Sequence, residues 1–218
     1  MPARLYDIAL FDLDGTIADT LPLIYEAFNA AIVPALGREF SPAEIRAMFG
    51  PPDTQIIRSR VNAREAEGAI ARYVRHYIDF HDDLVSTFPG IDTLIRTCAA
   101  TALRIAVITG KSRRTALITL EKLDLRSLFD VVYAGDDVER QKPAPDALLL
   151  ALRDLDMSRS DRAVMIGDSA ADVFAGKAAG IATIGVTWGS PELYELEAAA
   201  PDFIVSSAVE LEALLLPR

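Results

Sequence analysis

Asp12-Leu13-Asp14-Gly15-Thr16 sets two carboxylates two residues apart, at the end of the apolar run Tyr6 to Phe11. Along an extended chain, residues two apart point the same way, so both acids can face one site. Gly15 permits a turn that brings backbone close to a ligand. In such a pair one carboxylate can attack as a nucleophile while the other carries a proton. Asp-x-Asp-Gly also opens calcium-binding loops. Here Thr16-Ile17-Ala18 turns apolar where further oxygen ligands would have to follow. A plain strand-to-loop turn that caps the next helix would use the same residues, so the motif gains meaning only in company.

Three further stretches supply that company. Thr109-Gly110-Lys111 follows the apolar run Arg104 to Ile108. A hydroxyl beside bare backbone amides at a helix start makes a phosphate-binding corner, although threonine in that place often only caps the helix. In Gln141-Lys142-Pro143-Ala144-Pro145-Asp146, two prolines are expected to hold the segment extended. Lys142 would then be fixed as a point charge for an anion. Gly167-Asp168-Ser169-Ala170-Ala171-Asp172 ends the run Ala163 to Ile166 and opens a helix. Asp168 and Asp172 lie one helical turn apart and can share a face, and an acid there also suits a helix N-terminus. Each stretch has a bland explanation alone. Jointly they bring a nucleophile, a proton carrier, a hydroxyl, a cation and a metal ligand to successive strand ends. Several carboxylates at one edge repel each other unless a cation or proton compensates. Hard oxygen ligands without nearby histidine or cysteine favour magnesium over zinc.

The elements that must position these residues are legible as punctuated apolar runs. Ile8 to Phe11, Arg104 to Ile108, Val131 to Ala134, Ala163 to Ile166 and Thr183 to Val186 read as strands, with Phe203 to Val205 a weaker sixth. They are continuous rather than alternating, as expected for strands covered on both faces. Helical patterns separate the later runs, at Ser112 to Leu123, Asp146 to Leu155 and Ala170 to Ala179. Strand-helix alternation predicts an α/β fold with a doubly wound parallel sheet, whose ligands bind at the C-terminal strand edge.

Residues 17–87 break that alternation. Leu21 to Leu36 reads as one helix, and Ser41-Pro42-Ala43-Glu44 as a capping box that starts a second. Asn62-Ala63-Arg64-Glu65 reads as a similar cap, ahead of an amphipathic helix carrying Ile70, Tyr73, Val74, Tyr77 and Ile78. The expected organisation is a catalytic core of residues 1–16 and 88–218 with an all-helical insert at 17–87.

Composition narrows the class. Hydrophobic residues make up 51% of the 218, enough for a sizeable core. A net charge of -10 without a basic stripe argues against nucleic-acid binding. The one cysteine, Cys98, allows no internal disulfide, and its helical pattern with Ile91, Leu94 and Ile95 predicts a buried thiol. Asp7, Asp12 and Asp14 interrupt the N-terminal apolar run, unlike a signal peptide, and no apolar run is long enough for a bilayer. A cytoplasmic chain that meets neither membrane nor nucleic acid is expected, as monomer or homodimer.

With these motifs in place, the chain resembles the haloacid dehalogenase (HAD) superfamily, specifically its phosphatases with a helical cap inserted after the first motif. Asp12 to Thr16, Thr109, Lys142-Pro143 and Gly167-Asp168 with Asp172 look like the family's four motifs, in order. Gly135-Asp136-Asp137-Val138 before Lys142-Pro143-Ala144-Pro145 looks most like the phosphoglycolate phosphatase and pyrophosphatase branch, and the likeness extends to Gly189-Ser190-Pro191-Glu192. The resemblance implies a Rossmann-like core and hydrolysis of a small phosphorylated metabolite, phosphoglycolate-like, through a phosphoaspartate on Asp12. Asp14 would protonate the leaving oxygen and then activate water, which requires its pKa to lie above that of Asp12. Thr109, Gly110 and Lys142 would hold phosphoryl oxygens. Mg2+ would be bound by Asp12, the Asp14 backbone carbonyl and Asp168, with Asp172 orienting this shell or the lysine. The cap would exclude water and choose the leaving group, hinging on Thr16 to Asp19 and Thr87 to Gly90.

Some features stand outside the family pattern. Ala171 occupies a position where many relatives carry asparagine. Phe49-Gly50-Pro51-Pro52 resembles a cap loop that faces the active site, and Arg46, Arg58, Arg60 and Arg64 are candidates for a substrate carboxylate or second phosphate. His76 and His81 are off register for a shared helical face, which opposes a metal pair. A β-phosphoglucomutase-like mutase or an inorganic pyrophosphatase of the same fold would share the Asp12 chemistry. A dehalogenase has no use for Asp14 and magnesium, and a signalling receiver module lacks the helical insert.

Overall fold

The computed structural model describes residues 5–155, 162–190 and 192–216. In chain order its strands are β1 (Ile8–Phe11), β2 (Ala18–Asp19), β3 (Ser86–Thr87), β4 (Arg104–Ile108), β5 (Val131–Tyr133), β6 (Ala163–Gly167), β7 (Ala182–Val186) and β8 (Phe203–Val205). Six of them form one sheet in the order β5-β4-β1-β6-β7-β8. Every neighbouring pair in that sheet is parallel. The doubly wound α/β expectation holds, including the weak sixth strand.

Alternation along each strand explains the two faces. Ala9, Phe11, Ile105, Val107, Val164 and Ile166 point into one apolar layer. Ile8, Leu10, Ala106, Ile108, Ala163 and Met165 point into the other. Both layers are sealed by helices, so the strands carry no polar face. On the first lie α5 (Ile91–Ala99), with Cys98 fully buried, α6 (Arg113–Lys122) and α10 (Ala208–Leu215). On the second lie α7 (Asp146–Asp154) and α8 (Ala170–Ala178).

The register decides where chemistry can occur. Phe11 is level with Val107 of β4 and Ile166 of β6. The residues just past these strand ends, Asp12, Thr109 and Asp168, therefore emerge side by side where the strand order reverses.

Between β2 and β3 the chain builds α1 (Leu21–Leu36), α2 (Pro42–Arg46), α3 (Asp53–Arg60) and α4 (Ala66–Leu84). The capping box at Ser41 forms as expected: its hydroxyl accepts from the Glu44 amide at 3.3 Å, and the Glu44 carboxylate accepts from the Ser41 amide at 2.8 Å. α1 and α4 pack through Phe28 and Tyr73, with ring centroids 4.9 Å apart. The insert docks on α6 by buried polar contacts. The Tyr77 and Thr119 hydroxyls lie 2.8 Å apart, and Thr115 donates to Asp53 Oδ2 at 2.6 Å.

Several local expectations change. The insert is bracketed by a two-residue antiparallel ribbon, β2 with β3, pairing Ala18 with Thr87 and Asp19 with Ser86. Pairs this short leave no periodic trace. Asn62 closes a turn, accepting from the amides of Arg64 and Glu65, and α4 starts only at Ala66. On α4, Ile78 is 40% exposed and His81 takes the buried position instead, one turn beyond Tyr77. The inward face thus runs Ile70, Tyr73, Val74, Tyr77, His81. α9 (Leu193–Ala198) and α10 were not expected: one is too short for periodicity, and the other buries only Leu211 and Leu215. Among the described residues no helix is long and apolar enough to cross a membrane.

Leu10 is fully buried at the centre of β1. Leu10→Ala is expected to lower unfolding stability by about 2–5 kcal/mol, read as a shift in urea midpoint with unchanged slope.

Candidate active site

The loop after β1 is a tight knot of backbone. The amides of Ile17 and Ala18 both donate to the Leu13 carbonyl, at 2.9 and 3.1 Å, and the Gly15 amide donates to Ala18 at 3.0 Å. Gly15 sits at φ +77°, and a Cβ there would collide with the Asp168 carboxylate. The glycine is thus required twice, by its left-handed backbone and by the approach of an acid from β6. Thr16 donates its hydroxyl to Asp168 Oδ1 at 3.2 Å. From the far side, the Trp188 indole donates to the Thr16 carbonyl at 3.0 Å, and Gly189 lies too close to the Gly15 carbonyl to carry a side chain. Gly189 and Ser190 are thus next to the first motif; Pro191 lies outside the described residues.

Asp12, Asp168 and Asp172 come together, all buried, with one carboxylate oxygen from each within 4.8 Å of the others. Lys142 is the cation among them, 2.9 Å from Asp12 Oδ1 and 2.6 Å from Asp172 Oδ1. It also donates to the Ile108 carbonyl at 3.1 Å. Asp172 is fully committed: its second oxygen accepts from the Ser169 amide and hydroxyl, at 3.1 and 2.6 Å. Asp12 Oδ1, by contrast, is buried with the Lys142 ammonium, 2.9 Å away, as its one partner. The lysine arrives on a turn, closed by the Ala144 amide on the Gln141 carbonyl at 2.9 Å, rather than on the extended segment expected from the prolines. The turn leaves Lys142 at the β4 end, on the Ile108 carbonyl.

Asp14 goes elsewhere. Its carboxylate accepts from Thr20 at 2.5 Å and pairs with Lys111 at 3.2 Å. Lys111 is buried, with its ammonium 4.8 Å from the centre of the Tyr77 ring of α4. Thr109 is buried beside it, and its hydroxyl accepts from the Lys111 amide at 3.2 Å. Gly110 has open space where a side chain would stand.

The electrostatics follow from burial. Desolvation pushes Asp12 up to about 7, against the pull of Lys142, with Asp172 adding to the rise. Asp168 is raised first by desolvation, then by Asp12 and Asp172. Burial works against the charge on Lys142, yet Asp12 and Asp172 hold it above its ordinary range. Lys111 is likewise opposed by burial and raised by Asp14 and Tyr77. The sequence argument asked for Asp14 to lie above Asp12; in this arrangement burial raises Asp12 itself.

The charge of this cluster tests whether a cation fits. Three buried carboxylates lie around one ammonium, and every donor is a hard oxygen. This donor set suits a divalent cation of the magnesium type. The Asp14 carboxylate is not in the cluster, so only its backbone carbonyl is left for the ligand role implied by the resemblance.

A cleft of about 410 Å³ opens from this cluster towards the insert. Asp12, Asp14, Thr109, Gly110, Lys142 and Asp168 all line it, and Phe49, Gly50 and Pro51 form part of its wall. Of the four candidate arginines only Arg46 reaches the wall; Arg58 instead pairs with Glu67 at 2.8 Å on the surface. His81 is buried beside Tyr77, while His76 stacks on Phe80, so the two histidines serve different packing roles. Sequence reasoning missed three wall residues. Lys111 was read only as part of a phosphate corner, Tyr73 only as a position on an amphipathic helix, and Asp53 was not singled out.

Comparison with known proteins agrees with this geometry. The sequence pattern of haloacid dehalogenase-like hydrolases matches residues 9–186. Pyrophosphatase PpaX of Bacillus cereus (strain B4264) is 31% identical over 206 residues, covering 94% of each chain. CbbY from Rhodobacter sphaeroides, solved in complex with phosphate, superposes with a TM-score of 0.83 at 28% identity, over 96% of this chain and 99% of that one. A predicted phosphoglycolate phosphatase from Haemophilus somnus 129pt reaches 0.84 at 20% identity, over 95% of this chain and 96% of that one, a likeness of fold alone. The chain belongs to the haloacid dehalogenase-like hydrolase family.

Proposed function

We propose that this chain is a magnesium-dependent phosphatase that hydrolyses small phosphate monoesters through a phosphoaspartate on Asp12. The observation that carries the reading is the buried cluster of Asp12, Asp168 and Asp172 at the cleft, with Asp12 Oδ1 held by the Lys142 ammonium alone, at 2.9 Å.

Lys142, the Thr109 hydroxyl and the Gly110 amide receive the phosphoryl oxygens. A carboxylate oxygen of Asp12 attacks phosphorus, and the bond from phosphorus to the ester oxygen breaks. Asp14 gives its proton to the departing alkoxide. Asp14 then takes a proton from water, the water oxygen bonds to phosphorus, and the acyl phosphate bond to Asp12 opens. Phosphoryl transfer asks mainly for alignment and charge neutralisation. Asp12, Asp168 and the Asp14 backbone carbonyl would hold magnesium, which would supply charge that Lys142 alone does not. Asp172 keeps Lys142 aimed, since its 2.6 Å contact is the shortest that the ammonium makes. Residues 17–87 act as a cap over the core of residues 1–16 and 88–218, hinging at the β2–β3 ribbon.

The names of the relatives bring two substrates to the test, a phosphoglycolate-like ester and pyrophosphate. A sugar-phosphate mutase would share the first half-reaction but return the phosphoryl group to a bisphosphate-activated substrate. The single buried cysteine fits a reducing, cytoplasmic setting.

p-Nitrophenyl phosphate should be hydrolysed with magnesium, without a bisphosphate activator, and not in excess chelator. Asp12→Asn should fall to about a thousandth of wild type or less in the same assay. Lys142→Met should cost about 10²–10³ in kcat, because it removes a fixed charge from the phosphoryl group.

Magnesium should also raise the melting temperature, more at pH 7.5 than at pH 5. Asp12 and Asp168 are raised in the folded state, so the metal-free fold holds protons that the unfolded chain has released. Its stability is greatest near the ordinary carboxylate range and falls as pH rises towards 7. A cation stabilises most where those protons are gone. Equal melting shifts at the two pH values would contradict a cation bound by these acids.

A further inference from the structure

The insert's share of the cleft wall is largely apolar, built by Ile24, Phe28, Ile56 and the ring of Tyr73. Two polar atoms interrupt it. The Tyr73 hydroxyl and Asp53 Oδ1 are both buried, and neither has a hydrogen-bond partner. Tyr73 is 0% exposed and Asp53 6%. Such orphaned groups are uncommon, because each has given up water without a replacement. The other Asp53 oxygen is fixed by Thr115 at 2.6 Å, so the side chain is aimed rather than loose. Both residues line the one cleft, and after burial the Asp53 charge is the next cause that raises the Tyr73 phenol.

The charges nearby limit what this wall accepts. Lys111 is already paired with Asp14, 3.2 Å away, and its flank is covered by the Tyr77 ring. Arg46 is an exposed side chain on the wall. A carboxylate or second phosphate on the leaving group would approach Asp53 with no buried, uncommitted cation to receive it. A hydroxyl answers both orphaned atoms at once, giving its proton to one and accepting from the other.

We propose that Asp53 and Tyr73 read the leaving group, and that the substrate class is the monophosphate of a small hydroxylated alcohol rather than of a hydroxy acid. A leaving-group hydroxyl donates to Asp53 Oδ1 and accepts from the Tyr73 phenol, while Ile24, Phe28 and Ile56 cover its C–H surface. This assignment rests on the phosphatase reading, and it names two specificity residues that lie outside the four core motifs.

The test compares kcat/KM for glycerol 1-phosphate, propyl phosphate, phosphoglycolate and pyrophosphate, with p-nitrophenyl phosphate as the gauge of the underlying chemistry. Wild type should favour glycerol 1-phosphate over propyl phosphate by about tenfold or more, since a site built to bond a hydroxyl rejects the analogue without one. It should favour it over phosphoglycolate and pyrophosphate as well. Tyr73→Phe keeps the ring against Phe28 and should move the glycerol-to-propyl ratio towards one. Asp53→Asn should do the same and narrow the gap to phosphoglycolate. Should Asp53→Asn lose its seat on Thr115 and fold poorly, the Tyr73→Phe ratio decides. No turnover of p-nitrophenyl phosphate would remove the phosphatase reading and this assignment with it. Turnover of p-nitrophenyl phosphate, with wild type indifferent to the hydroxyls or preferring phosphoglycolate or pyrophosphate, would overturn this assignment alone.

Discussion

Asp12, Asp168 and Asp172 share a single buried ammonium where β1 and β6 end, and the surrounding structure is arranged around that imbalance. Carboxylates this close repel each other unless compensated. The fold brings them together anyway, because β1 and β6 are neighbours in register and both end in aspartate. Lys142 is held from three sides, by Asp12, Asp172 and the Ile108 carbonyl, which fixes its charge at the wall of the cleft. Glycine is required where the acids approach backbone: Gly15 yields to Asp168, and Gly167 yields to Asp172. A side chain at either position would push the carboxylates apart and break the one arrangement in which a shared cation is useful.

The same loop ties this cluster to the helical insert. The chain leaves the core directly after the first motif, through Thr16 to the β2–β3 ribbon. Thr20, at the start of α1, holds Asp14 from the insert side, and Lys111 holds it from the core side. Lys111 in turn lies over Tyr77, whose hydroxyl meets Thr119 of α6. Asp14 is thus gripped by both parts of the molecule, whereas Asp12 belongs to the core alone. This wiring suits the proposed division between a nucleophile held by the core and a proton carrier tied to the helical insert.

Much of this was legible in the sequence, and the rest was not, for a physical reason. Continuous apolar runs ending in Asp12, Thr109 and Asp168 mark strands sealed on both faces, and parallel pairing then puts their ends on one edge. That inference needs only local pattern and topology. The capping box at Ser41 was equally readable, since its partners are three residues apart. Partners distant in sequence were hidden. Lys111 finds Asp14 across the strand-end loops, whereas Lys111 meets Tyr77 and Asp53 meets Thr115 only through docking of the insert on the core, and no periodicity encodes that docking. The helix pattern put Ile78 on the inward face, yet it is 40% exposed and His81 is buried. The four arginines looked alike in sequence, but only Arg46 reaches the cleft.

The account's central claim is that Asp12 itself bonds to phosphorus. Mixing enzyme with magnesium and a turned-over phosphate ester, quenching in acid within the first turnover, and mapping the chain by mass spectrometry tests this directly. A phosphoryl group on Asp12, absent from Asp12→Asn, is the expected result. An unmodified chain sampled throughout a productive burst, or a phosphoryl group on a different side chain, would contradict it.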